Sequence, residues 1–180
     1  MAILIVDAIN PLDFPGGRAF ATRAVVTARR VARLAERARR AGVPVVFVND
    51  NLGRWRSDID ALIDHVSAPT CAGRLLAEVL RPQPSDFVVL KSTLSGFHQT
   101  PLEAMLRQGG VSTVVVTGFV TGNCVLFTAA GAYMRDFRVV VPRDCVADQT
   151  RDAQREGLKR MADTMKAQLP LSTELRLRRS

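Results

Sequence analysis

Five short apolar runs punctuate this chain, and each stops at polar or charged residues. They are AILIV at 2–6 before Asp7, VPVVFV at 43–48 before Asn49 and Asp50, DFVVLK at 86–91 ending on Lys91, VSTVVVTGF at 111–119, and FRVVV at 137–141 with Asp144 just beyond. Continuous runs of this length, rich in β-branched residues, read as strands buried on both faces. The segments between them carry a different period. Ala24, Ala28, Val31, Ala35 and Ala38 recur at helical spacing with arginines between them, which predicts a helix over 22–41 stopped by Gly42. Pro11, Pro15, Gly16 and Gly17 read as breakers of the loop before it. Shorter helices are predicted up to His65, over 72–80 before Pro82 and Pro84, and over 100–108 with Thr100 as cap and Pro101 in the first turn. A helix from Asn123 to about Arg135 and a long one over 150–168 follow, and 171–176 reads as a short last strand. Strands that alternate with helices predict an α/β fold: a three-layer α/β/α sandwich around a Rossmann-like, mostly parallel sheet of five to six strands. Residues 1–180 read as a single domain, and the pattern leaves the strand order open.

Several classes of function are excluded early. No run approaches the roughly 18–20 apolar residues that cross a bilayer, so no membrane partner is expected. The opening MAILIVDAINPL lacks the basic start and cleavage site of a secretion signal, and the cytoplasm is the expected compartment. Three cysteines, Cys71, Cys124 and Cys145, are odd in number and irregularly spaced, which argues against a disulfide framework or a structural zinc site. The formal net charge of +8 raises the question of nucleic acid. The arginines, however, are spread over helix faces, as at Arg29, Arg33, Arg37 and Arg40, or fall in a frayed tail at Arg176, Arg178 and Arg179. No aromatic RNA-binding motif accompanies them, so no nucleic-acid partner is expected. Only three of the 25 basic residues are lysines. A lysine closing an apolar strand, as Lys91 does, therefore stands out.

In open α/β sheets the site forms beyond the carboxyl ends of the strands. Those ends carry Asp7, Asn49 and Asp50, Lys91, the segment Thr121 to Cys124, and Arg143 with Asp144. A nucleophile, a base and a cation together match a nucleophilic hydrolase. Cys124 follows a strand and a glycine-containing turn and opens a helical segment, where exposed N–H groups and a nearby Lys91 are expected to favour its thiolate. Position alone leaves it open between a nucleophile and an inert buried thiol. Cys71 and Cys145 lack such a setting and read as structural. Asp7 and Lys91 are each open between a catalytic role and a structural pair.

Taken together, LIVDAIN around Asp7, VLKSTLSGFHQTPL from Lys91, and VTGFVTGNCVLFTAAGAY around Cys124 resemble the isochorismatase-like cysteine hydrolases. That superfamily includes nicotinamidases and N-carbamoylsarcosine amidohydrolases. The resemblance covers nearly the whole chain, with the motifs in order. It implies that Asp7, Lys91 and Cys124 form a catalytic triad that cleaves an amide or related C–N bond of a small molecule through a thioester. It also implies an oxyanion hole from the N–H groups of Val120 and Cys124, a non-proline cis peptide at Phe119–Val120, and a homo-oligomer.

The departures bear on the substrate. Metal-dependent nicotinamidases carry Asp-x-His after the second strand, whereas here Asp50 is followed by Asn51 and Leu52. His65 is a remnant ligand at best, so no metal and no cofactor is expected. The opening DAINPLDFPGG departs from the family's Asp-Met-Gln-Asn-Asp-Phe. Candidate substrate-binding residues are Phe14, Arg54, Trp55, Phe97, Phe119 and Val120. Trp55 is open between stacking on a planar substrate and a packing or oligomer contact. Arg54 and Arg56 are open between binding a carboxylate and simple solvation, and His98 has no assigned role. Two competing functions remain: vinyl ether hydrolysis on the same scaffold, and a binding protein descended from an enzyme. A dinucleotide-binding protein is set aside because no GxGxxG follows the first strand.

Overall fold

The computed structural model describes residues 1–56 and 58–178; Arg179 of the basic tail therefore lies outside the described residues. Its centre is a parallel sheet of β1 (Ala2–Val6), β2 (Val45–Asp50), β3 (Phe87–Lys91), β4 (Thr113–Phe119), β5 (Arg138–Val140) and β6 (Val146–Ala147). The order across the sheet is β3-β2-β1-β4-β5, with β6 also on β4. The chain winds outward from β1 in both directions, so a crevice opens at the β1/β4 switch point. β5 pairs with Thr113–Val115 and β6 with Gly118–Phe119. The two are one edge line broken around Pro142, which supplies no ladder N–H.

Alternation along each buried strand divides the core in two. Ala2, Leu4, Val6, Val46, Val48, Val114 and Val116 face one side. There they meet α4 (Leu102–Gln108), α5 (Leu126–Tyr133) and α6 (Arg151–Met165) through Leu106, Ala129, Ala132 and Met161. Ile3, Ile5, Val45, Phe47 and Val115 face the other side, against α1 (Gly17–Arg40) and α3 (Arg74–Val79). Full burial of each large side chain stabilises the fold by roughly 1.5–3 kcal/mol. The short α2 (Ile59–Val66) closes a satellite cluster of Ile9, Leu62, Ile63 and Val66.

Differences from the expected elements have local causes. α1 begins at Gly17 rather than 22, because Gly16 takes a left-handed turn (φ 83°) directly before it and Phe20 is already core. A Cβ on Gly17 would stand 2.1 Å from the Leu12 carbonyl oxygen, so only glycine fits that start. β2 runs two residues further than the apolar run, through Asn49 and Asp50. The predicted strand over 171–176 is instead a 3₁₀ turn, Ser172–Glu174. Side chains rather than a ladder hold that segment. Arg37 donates to the carbonyls of Ser172 and Leu175 at 2.8 and 2.9 Å, and Asp144 accepts from the Ser172 N–H and hydroxyl, both at 2.7 Å. Just before that segment, the chain touches the sheet edge through a bridge between Val140 and Gln168. Edge strand β3 is tied to the end of α1 by Arg39, which donates to both oxygens of Asp86 at 2.9 and 2.6 Å.

Candidate active site

β1 delivers the first functional side chain. Its ladder to β2 continues one residue past the strand, through the Asp7 N–H to the Val48 carbonyl at 3.0 Å, and Asp7 then turns left-handed (φ 49°). Asp tolerates that conformation better than most residues. The turn is clamped from β2 by Asn49, fully buried, whose amide accepts from the Ile9 N–H and donates to the Ile9 carbonyl, both at 2.9 Å. The Asp50 N–H donates to Asp7 Oδ1 at 2.7 Å. β3 contributes Lys91, whose side chain is 0% exposed.

Cys124 comes from the other side of the switch point. After β4 the Phe119–Val120 peptide is cis, and Thr121–Val125 form one wide π-type turn into α5. The predicted helix thus starts properly only at Leu126. The Val120 carbonyl accepts from the N–H groups of Asn123 (3.1 Å) and Val125 (3.3 Å), the two neighbours of Cys124. The Gly122 N–H donates to buried Asp148 at 2.7 Å. β4 comes close enough to β1 because Gly118 (φ 112°) has no side chain; a Cβ there would lie 2.0 Å from the Val6 carbonyl oxygen.

The three side chains meet. Lys91 Nζ lies 2.9 Å from Asp7 Oδ2, 3.7 Å from Cys124 Sγ and 3.4 Å from Asp50 Oδ2. Burial raises the Asp7 carboxyl above its usual range, although Lys91, the thiol and the Asp50 N–H each pull it down. Burial pulls on the Lys91 ammonium too, but Asp7, then Cys124 and Asp50, outweigh it and hold the group above its ordinary value. Burial and the Asp7 charge push the Cys124 thiol up to about 12, with Lys91 opposing. That direction runs against the expected preference for a thiolate. The helix end and Lys91 are present, but the Asp7 carboxylate, 2.9 Å from the same ammonium, competes with sulfur for it. Asp7 and Cys124 then behave as a coupled pair of acids beside one cation.

The cluster opens into a cleft of about 520 Å³. Phe14, Phe20 and Phe119 form an aromatic wall, with ring centroids 6.4 and 5.9 Å apart along the series. Val120 lines the cleft as well, and Asn10, Asn123 and Gln149 supply neutral amides around it. Of the expected pocket residues, Phe14, Phe119 and Val120 are therefore at the cleft. Phe97 is not. It is buried in the core 5.8 Å from the Phe137 ring, because the turn after Lys91 folds back onto α5. Trp55 is 79% exposed and does not line the cleft. Arg54 points to His65, 3.1 Å from Nδ1, and also stands outside it. Leu52 takes the place on the cleft wall instead. Sequence reasoning noted Asp50 only as a strand end. Its contact with Lys91 needed the β2–β3 register that pairs Asp50 with Lys91. Among the described residues, no three His, Cys, Asp or Glu side chains group as a metal-holding set.

The isochorismatase domain family matches residues 1–172. The chain belongs to the isochorismatase family. It is 28% identical over 177 residues to an uncharacterized isochorismatase family protein, YaaI, of Bacillus subtilis, which covers 97% of this chain and 95% of that one. It is 32% identical to the ureidoacrylate amidohydrolase RutB of Methylorubrum extorquens, over 90% of this chain and 75% of the relative. The solved N-carbamoylsarcosine amidase of Thermoplasma acidophilum superposes with a TM-score of 0.74 at 29% identity, covering 97% of both chains. Relatives in the isochorismatase family thus include amide hydrolases, and the α/β architecture is shared with them. No described helix is long and apolar enough to cross a membrane.

Proposed function

We propose that this isochorismatase-family chain hydrolyses an amide or related C–N bond of a small molecule, with Cys124 as nucleophile, Asp7 as proton carrier and Lys91 as the fixed positive charge. The observation that carries the reading is the position of Lys91 Nζ, within 2.9 Å of Asp7 and 3.7 Å of Cys124 Sγ. In the resting site the proton is on sulfur. Asp7, itself raised, accepts it as sulfur attacks the carbonyl carbon, and Lys91 stabilises both charge arrangements. The oxyanion is held by the N–H groups of Val120 and Cys124. The tied turn around them supports that role, since Asp148 and the Val120 carbonyl anchor the residues on either side. Asp7 returns the proton to the leaving nitrogen, the C–N bond breaks, and an acyl thioester remains on Cys124. Water, deprotonated by Asp7, then attacks the thioester, and sulfur leaves as the thiol. The net change is amide plus water to carboxylic acid plus amine.

The test is Cys124→Ala. Amide turnover is expected to fall by at least about 10³-fold with the far-UV spectrum unchanged. Wild-type protein quenched in acid during turnover should carry an acyl mass on the peptide containing Cys124. Retained activity in the variant sinks the reading. Three free thiols suit a cytoplasmic setting. Exposed Phe127, Tyr133 and Met134 on or just after α5 support a homo-oligomer built on that face.

A further inference from the structure

We propose that the acyl group accepted by this cleft is uncharged and apolar or aromatic, and that amides whose acyl group carries a carboxylate are rejected. The inference rests on the proposed amide hydrolysis and names its substrate class.

The first observation is the charge of the cleft. Among the described residues that line it, the ionisable side chains are Asp7, Asp50 and Cys124; no arginine, lysine or histidine is among them. The one ammonium in reach, Lys91, is 0% exposed and already engaged by Asp7, Asp50 and the Cys124 sulfur. Two carboxylates against one ammonium leave a net charge of −1. Moving the proton from Cys124 to Asp7 does not change that sum, because a thiolate replaces a carboxylate. The oxyanion then takes over the thiolate's charge, so the sum stays at −1. An acyl carboxylate would meet like charge at every stage, in a partly desolvated cleft where such interactions are strong.

The second observation is where the cations are. The chain carries 25 Lys and Arg residues, so a cation at the cleft would have been easy to supply. Two arginines on segments beside the cleft have other partners. Arg54 is on His65, and Arg23 donates to the backbone carbonyls of Asp148 and Gln149 at 3.0 and 3.1 Å; neither lines the cleft. The third observation is what the walls present instead: Phe14, Phe20 and Phe119 for apolar area, and the neutral amides of Asn10, Asn123 and Gln149 for hydrogen bonds. A desolvated carboxylate requires a charged or multiply donating partner, whereas a flat, neutral acyl group is satisfied by these surfaces.

The experiment compares two matched amides that differ only in that charge: 3-acetylbenzamide and 3-carbamoylbenzoate, where the acetyl group is the neutral isostere of the carboxylate. An aliphatic pair, 4-oxopentanamide and succinamate, repeats the comparison without the ring. Turnover is measured on wild-type protein at low and high salt, so that long-range attraction of anions by the +8 chain is screened in one arm. kcat/KM is expected to favour the neutral member at least tenfold at both salt concentrations. In Gln149→Arg, which places a cation on the rim, the neutral-to-anionic ratio is expected to fall at least tenfold. Equal or faster turnover of the anionic members by wild-type protein overturns the inference and leaves amide hydrolysis standing. No ammonia release from any of the four, with no acyl mass on Cys124, overturns the hydrolase reading and this inference with it.

Discussion

At the level of single residues, the site is a problem of three acids and one base in a small volume. Lys91 holds Asp7 and Asp50 together while burial and the Asp7 charge raise the Cys124 thiol. Removing the cation exposes what it does. In Lys91→Met, Asp7 is left buried without its partner, which should cost about 3 kcal/mol at neutral pH. The sign of the pH effect follows from the raised carboxyl. A group whose folded pKa exceeds its unfolded value is most favourable below the unfolded value, and that contribution disappears as pH rises through the folded one. Burial already raises Asp7, and loss of Lys91 removes the largest opposing influence. Thermal melts of Lys91→Met should therefore lie closest to wild type near about pH 4–5 and fall furthest behind near neutrality. The double variant Asp7→Asn, Lys91→Met should recover much of the loss; a strictly additive result would show that the two side chains do not interact. Activity follows the same carboxyl. In the proposed mechanism Asp7 must be ionised to accept the thiol proton, so the acid limb of kcat/KM is expected above the ordinary aspartate range. A limb at or below about pH 4 would contradict that assignment.

At the level of elements, the site depends on how closely β1 and β4 approach. Gly118 sits where those strands carry Asp7 and Cys124 out of the sheet, and a methyl group there would overlap the Val6 carbonyl at a φ that side chains avoid. Gly118→Ala is expected to destabilise the fold by at least about 3 kcal/mol and to lower Tm by several degrees. Wild-type stability in that variant would show that the strands can separate without cost. The same scale explains which expectations from sequence held. Continuous apolar runs located β1, β2, β3 and β4 to within two residues; burial on both faces accounts for β1, β2 and β4, whereas β3 lies at the sheet edge and leaves Phe87 and Val88 exposed, against the expectation. The two-residue β6 and the 3₁₀ turn at Ser172 were not legible. Both depend on Pro142 interrupting the edge and on Asp144 and Arg37 binding backbone groups far away in sequence.

At the level of the molecule, a sheet wound outward from β1 leaves one crevice at which its functional strand ends converge, and the described cleft lies there. The α5 face is the other large-scale feature, with Phe127 46% and Met134 72% exposed. Light scattering is expected to give a mass above one chain, and Met134→Glu with Phe127→Asp should shift it toward the monomer. A monomeric wild-type protein would remove the oligomer from the account.

Sequence alone determined the α/β class and located β1 to β5, since those are written in local runs, and it singled out Asp7, Lys91 and Cys124 as candidates only through three linked motifs that resemble one family. The tertiary structure decided the rest. It set the strand order, added Asp50 to the charge cluster, sent Phe97 to the core and Arg54 to His65, and buried Cys124 beside Asp7 so that its thiol is raised. Those outcomes depend on distances and burial between segments remote in the chain, and such quantities exist only once the chain is packed.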